Sequence, residues 1–236
     1  MNTLSAVFML GGAIAYLYAR RTADRSPIRA LVGMTLSLCG GATLAMLCKE
    51  NGALLFLYVL AVEATLLQRP RAISSGVWRS WFTVVLITPL IAISLYLVSA
   101  LPYPESALLR REFGGLERLM TQAGILWKYL YLAFIPNITN FGPFHDNYPV
   151  QRNLTDITTL LSIGSWLVIA FLAIWARHKT VLFTFAVAWF LMGHLLESTT
   201  LGLELYFEHR NYLPLVGPVY AMIAALIHID QRWRRL

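Results

Sequence analysis

The stretch Val181–Pro214, VLFTFAVAWFLMGHLLESTTLGLELYFEHRNYLP, decides how the chain is read. Val181–Met192 is an apolar run broken only by Thr184, and a second apolar run, Leu215–Ile229, follows Pro214. Between them lie Glu197, Glu204, Glu208, two histidines and Arg210. Read as one helix, His194, Glu197, Leu201, Glu204 and Glu208 fall at i, i+3, i+7, i+10 and i+14, on a single face. Ionised carboxylates on one stripe repel each other and are costly to bury, so they are expected to meet cations, bound protons or a polar ligand. A merely solvated face is the competing reading. The interleaved Leu201, Leu203, Leu205, Tyr206 and Phe207 oppose it and turn the acidic side inward.

Charged stretches pressed between apolar runs point to a membrane. The chain has 236 residues, of which 58% are hydrophobic and 13% charged, against about a quarter charged in soluble domains. Several runs are long enough for a hydrocarbon core of about 30 Å, which predicts an all-α polytopic membrane protein. The net charge of +7 then reads as membrane topology rather than nucleic-acid binding. Cys39 and Cys48 read as buried membrane thiols, with no disulfide or metal site implied.

Spans are expected at 4–19, 30–48, 52–67, 81–101, 157–176, 180–196 and 214–229, about seven transmembrane helices in one domain covering 1–236. The first has no basic residue before it and Arg20 and Arg21 after it, the reverse of a signal peptide. Arginine, lysine and histidine fill the connectors at 20–29, 69–79 and 177–179 and the tail at 232–235, which positive-inside places in the cytoplasm. The turn 49–52, an outer segment 102–156 and the carboxylate stretch then share the opposite face. Leu119–Pro136 is nearly long enough to span, but Lys128 in its middle, its Trp and Tyr residues and the charges Arg110, Arg111, Glu112, Glu117 and Arg118 before it favour a re-entrant or interface-lying helix.

Three groups carry candidate chemistry. Lys49-Glu50-Asn51 sits between two apolar runs, where ionisable residues are expensive unless they snorkel or face a cavity; a phosphate-binding cation with a carboxylate and a plain interfacial turn both remain open. The Glu197, Glu204, Glu208, His209, Arg210 and Tyr212 group is the second. His145-Asp146, among turn formers, is the third, suited to orienting an acceptor, holding a metal or acting as a base. Glu63, Asp230, His178 and His228 read as snorkelling or packed polar residues. All three groups converge on one face beside a bundle able to hold a lipid tail. That suits a lipid-linked phosphate substrate, with cations holding the leaving phosphate and a carboxylate deprotonating the acceptor.

Three segments carry a family resemblance: CKENGALLFLYVLAVEATL (48–66), LERLMTQAGILWKYLYLAFIPNITNFGPFHDNYP (116–149) and HLLESTTLGLELYFEHRNYLPLVG (194–217). They resemble bacterial membrane proteins often fused to tetratricopeptide repeats, which are similar to the eukaryotic transmembrane, repeat-containing O-mannosyltransferases. Both groups belong to the C-type superfamily of polytopic glycosyltransferases, which use polyprenyl-phosphate-linked sugars. The resemblance covers nearly the whole chain, and EHRNYLP is its most specific part. It implies that Lys49, Glu50, Glu208, His209 and Arg210 match motif positions. Family members carry earlier spans and an acidic first outer loop, so the resemblance further implies a carboxyl-terminal part of such a domain. The remaining spans would come from a preceding segment or a separate subunit.

The expected function is transfer of a sugar from a polyprenyl-phosphate-linked donor to a protein or glycan acceptor. It would take place at the outer, periplasmic face of a bacterial inner membrane. Glu50, Glu197, Glu204 and Glu208 are the expected catalytic carboxylates. Lys49, His209, Arg210, Tyr212, His145 and Asp146 are the expected substrate-binding residues. A divalent cation is the one cofactor left open, with no ligands assigned. The expected partners are the lipid-linked sugar, the acceptor and the bilayer, and not nucleic acid. The rivals are a lipid-linked oligosaccharide ligase or polymerase and a non-catalytic membrane scaffold. A transporter would want ionisable residues at mid-bilayer rather than at one face.

Overall fold

The computed structural model describes residues 2–100, 113–135, 148–201 and 203–233, with only the backbone described at His209 and at 231–233. Among the described residues all regular structure is helical: α1 (Asn2–Arg21), α2 (Pro27–Cys48), α3 (Leu54–Thr65), α4 (Ser75–Phe82), α5 (Thr88–Ser99), α6 (Gly115–Phe134), α7 (Ile157–Trp175), α8 (Val181–His194) and α9 (Val216–Trp233). Among the described residues four stretches, Asn2–Arg21, Pro27–Cys48, Ser75–Ser99 and Ile157–Trp175, are long and apolar enough to cross a membrane. Four of the expected spans fall on them. The other three coincide with α3, α8 and α9, of which α3 has 12 residues and α8 has 14. At 1.5 Å per residue these two cover only about 18 and 21 Å. The backbone groups into two compact units, Met1–Ser94 and Leu95–Leu236.

In the first unit α1 and α2 form a hairpin whose turn is set by Ser26 before Pro27, a proline at the first helical position where its missing N–H costs nothing. The two helices approach until Gly12 meets Gly41: a Cβ added to Gly41 would lie 2.8 Å from the Gly12 Cα. Small residues at such crossings let backbones touch, the usual packing between membrane helices. Ser5 Oγ donates to the Ala45 carbonyl at 3.1 Å across the same seam. The outer faces carry exposed Leu4, Val7, Leu10, Ile14, Val32, Leu36 and Leu47, a surface suited to lipid.

α3 is different, with eight of its twelve residues buried. It is entered through a 3-10 turn, Glu50–Ala53, seated so closely on α2 that a Cβ on Gly52 would run into the backbone of Ala45 and Met46. Near its far end Glu63 is buried and paired. Arg20 Nε donates to it at 2.7 Å and the Tyr16 hydroxyl at 2.6 Å, so the reading of Glu63 as a packed polar residue holds. Arg20 also lies 5.0 Å over the Trp78 ring. Between α4 and α5 a π turn, Thr83–Ile87, widens the helix just before Thr88-Pro89. Proline has no N–H and its ring crowds the carbonyl four residues back, which a wider turn relieves.

In the second unit α6 starts at Gly114, whose N–H donates to the Glu117 carboxylate at 2.8 Å. Its face 118, 122, 125, 129, 132 is buried. Trp127 stacks on Trp166 of α7 at 4.7 Å. α8 packs on α9, where a Cβ on Gly217 would stand 2.7 Å from that of Trp189. The core is built from Phe113, Ile125, Tyr129, Leu132, Phe190, Leu205 and Tyr206.

Candidate functional site

The expected acidic helical stripe does not form. α8 stops at His194, residues 195–200 are turns, 201 and 203–207 are irregular, and a single 3-10 turn spans Glu208–Arg210. The physical reason is on α6. Arg118, with no exposed surface, donates to the carbonyls of Glu197 at 2.7 Å, Thr199 at 2.9 Å, Glu204 at 3.3 Å and also Leu203. A continuing helix would have given these carbonyls to its own amides. The guanidinium takes them instead, and the carbonyls in turn satisfy a charge that would be costly to bury alone. Thr199, Thr200 and Gly202 are poor helix formers and do not resist.

α6 holds the rest of the loop by the same means. Gln122 Nε2 donates to the Leu205 carbonyl at 2.6 Å. The Tyr129 hydroxyl donates to the Phe207 carbonyl at 2.8 Å and accepts from the Phe207 N–H at 3.0 Å. Arg210 is itself buried, with its Nε 3.7 Å from a Glu197 carboxylate oxygen and an N–H donated to the Glu204 carbonyl at 2.6 Å. Glu197 and Arg210 therefore meet as a buried ion pair.

His194 closes the end of α8. Asn211 turns its amide nitrogen to the Tyr129 carbonyl and its oxygen to His194 Nε2 at 3.2 Å, while Nδ1 faces the Ser198 hydroxyl at 3.1 Å. That network calls for a neutral ring with the proton on Nε2. His194, Tyr129, Tyr206 and Tyr148 stack in succession at 5.5, 5.1 and 6.0 Å. Lys128 Nζ stands 4.6 Å over the Tyr206 ring and 5.3 Å over that of Tyr148, a cation held by aromatic faces.

Beside this stack opens a cleft of about 240 Å³ walled by Tyr129, Tyr206, Tyr212, Asn211 and Glu208, with Leu132 and Leu215 at its back. Burial first, and then the Glu208 carboxylate, raise the Tyr206 phenol above its ordinary pKa, so its hydroxyl stays neutral. Aromatic rings, an amide and a carboxylate in one hollow suit a ligand with both apolar and hydrogen-bonding surface.

The expected site residues divide accordingly. Glu208 and Tyr212 line the cleft, with Asn211, which the sequence reading did not single out. Glu197 and Arg210 pair with each other, and Glu204 lends its backbone carbonyl to both arginines. Lys49 and Glu50 belong to the first unit: Lys49 is the extended residue closing α2, and Glu50 is exposed at the start of the 3-10 turn. Next to them Asn51 Oδ1 is buried with no hydrogen-bond partner among the described residues. His145, Asp146 and the His209 side chain lie outside the described residues. Among the described residues no three His, Cys, Asp or Glu side chains gather as a metal site.

Sequence reading missed Gln122 and Tyr129 and took Arg118 for an interfacial charge. Their signal was present: with Ile125 and Leu132 they repeat at i, i+4, i+7, i+11 and i+14 along α6, a helix face with polar groups directed inward. No protein-family model, curated protein or solved structure matches the chain.

Proposed function

We propose that the chain serves a membrane glycosyltransferase that moves a sugar from a polyprenyl-phosphate-linked donor to a protein or glycan acceptor. The observation that carries the reading is the Tyr129–Tyr206–Tyr212 cleft with Glu208 and Asn211 in its lining, held beside a loop that two buried arginines fix in place. In this reading the sugar ring lies against the Tyr212 ring and the edges of Tyr129 and Tyr206, and Asn211 holds its hydroxyls. Glu208 accepts the proton of the acceptor hydroxyl as its oxygen bonds to the sugar's anomeric carbon. The bond from that carbon to the phosphate oxygen breaks, and polyprenyl phosphate leaves. Lys128, held over the Tyr148 and Tyr206 rings, is the cation proposed for the phosphate. Arg210 would add its remaining N–H groups, and Glu197 would keep it oriented.

The membrane assignment extends the four long apolar helices to seven crossings in a bacterial inner membrane, with the cleft on the periplasmic side. α3 and α8 are shorter than the core of about 30 Å and would cross only together with the turns that flank them. The test is transfer by the protein in bilayers, given labelled polyprenyl-phosphate sugars and a peptide or glycan acceptor. Glu208→Gln should lower turnover by at least about a hundredfold, the usual worth of a positioned general base, with donor binding intact. Equal turnover by Glu208→Gln would remove the carboxylate from the mechanism.

A further inference from the structure

A second cavity, of about 880 Å³, runs between α7, α8 and α9 and reaches Leu130 and Phe134 of α6. Its body is apolar, with Trp166, Ile169, Phe183 and Phe190 on one side and Ala221, Ala224 and Ala225 on the other. Its size falls within the range of roughly 300–1,000 Å³ of ordinary ligand pockets. One end differs in chemistry: there Lys179, Thr180 and His228 form the lining. All three are exposed. Lys179 Nζ lies 5.6 Å from the Trp175 ring centroid, and Arg177 Nε donates to His178 Nε2 at 3.1 Å beside it.

The charge of this end is set by both helices. Arg177 and Lys179 precede α8, and Asp230 and Arg232 follow His228 in α9. A cavity with an apolar body and a cationic mouth is complementary to one amphiphile class, an acyl chain with an anionic head. Basic pockets between membrane helices are known to take anionic lipid headgroups. The mouth lies at the amino-terminal end of α8, whereas the tyrosine cleft borders the loop leaving its carboxyl-terminal end. The two sites are distinct, and this inference does not rest on the sugar-transfer reading.

The geometry points to a binding site for an anionic glycerophospholipid: one acyl chain lies along α8 and α9, and its phosphate meets Lys179, Thr180 and His228. The occupant comes from the leaflet that the Lys179 end faces. Chain packing on the alanine face of α9 selects a slender tail, and the cations select a charged head over a zwitterionic one.

The test uses the full chain, purified and placed in phosphatidylcholine nanodiscs with or without phosphatidylglycerol, read by native mass spectrometry and by thermal unfolding. Phosphatidylglycerol should be retained as one tightly held lipid and should raise the midpoint of unfolding by several degrees. Lys179→Glu, a change at an exposed residue, should weaken retention at least tenfold. Ala225→Trp, which fills the groove without touching the charge, should do the same. Arg69→Glu, a basic residue of the other unit, should leave retention unchanged. Equal retention of phosphatidylcholine and phosphatidylglycerol would overturn the proposal, as would unaltered retention by Lys179→Glu or by Ala225→Trp. Displacement of the retained phosphatidylglycerol by an added polyprenyl phosphate would overturn it too.

Discussion

The Arg118 guanidinium and the backbone carbonyl of Glu197, 79 positions apart, are joined by a 2.7 Å hydrogen bond with no exposed surface on the arginine. Through this bond and its neighbours one residue of α6 sets the path of the chain after α8. The cleft proposed for the sugar depends on that path, because Tyr206, Glu208, Asn211 and Tyr212 are all carried on it.

Arg118→Met keeps the volume and removes the donors. The carbonyls of Glu197, Thr199, Leu203 and Glu204 then lose a charged partner in a buried setting. Each buried carbonyl left without a donor costs about 1–3 kcal/mol. Thermal unfolding in detergent should show a large loss for Arg118→Met and a partial one for Arg118→Lys, whose compact ammonium cannot span all four acceptors. A wild-type midpoint in Arg118→Met would mean that the loop holds itself.

Gly52→Ala should be among the most damaging single-methyl changes in the first unit, because its Cβ has nowhere to go but into the backbone of Ala45 and Met46. Gly11 and Gly40 have nothing within 4 Å of the same position. Alanine there should be neutral or should stabilise by up to about 1 kcal/mol through helix propensity. Expression and detergent stability of the three variants check the contrast.

Arg20→Ala leaves the Glu63 carboxylate buried with only Tyr16 as its near partner, and should cost about 3 kcal/mol or more. Arg20→Ala combined with Glu63→Leu should recover much of the loss, since the uncompensated charge is gone. A double variant no more stable than Arg20→Ala alone would show that Arg20 acts through Trp78 and the Gln68 carbonyl instead.

Acid should loosen the turn that Asp24 organises. The N–H of Ala72, then that of Arg71, hold the Asp24 carboxyl below its ordinary value of about 3.9. A lowered folded pKa contributes stability that is fully present above the unfolded value. It is lost as pH falls through the folded one. Asp24→Ala should therefore flatten the stability profile between about pH 5 and pH 2 and leave its shape near neutrality unchanged. Hydrogen exchange at the Arg71 and Ala72 amides across that window gives the local readout.

The sequence announced the helices more clearly than it announced the site. Apolar runs broken by arginine clusters located α1, α2, α7, α8 and α9 to within a few residues, because burial in lipid or core leaves a continuous local record. Residues 195–207 carry no such record. Glu197, Glu204 and Glu208 have helical spacing, and what prevents the helix is Arg118, whose influence is not local to the stretch. Gly52 was legible as a turn former, but not as the point where two backbones touch. Glu63 was legible as a packed polar residue, yet its partner Arg20 had been counted only as a topological charge.

The most direct measurement is the equilibrium binding of a polyprenyl-phosphate-linked sugar and of the bare polyprenyl phosphate to the protein in bilayers. It should be made on the wild type and on Tyr206→Ala. If the tyrosine cleft reads the sugar, the sugar-bearing lipid binds at least about tenfold tighter than the bare one, a difference of about 1.4 kcal/mol. That difference should disappear in Tyr206→Ala while binding of the bare lipid is kept. Equal affinity of the wild type for the two lipids would contradict the account.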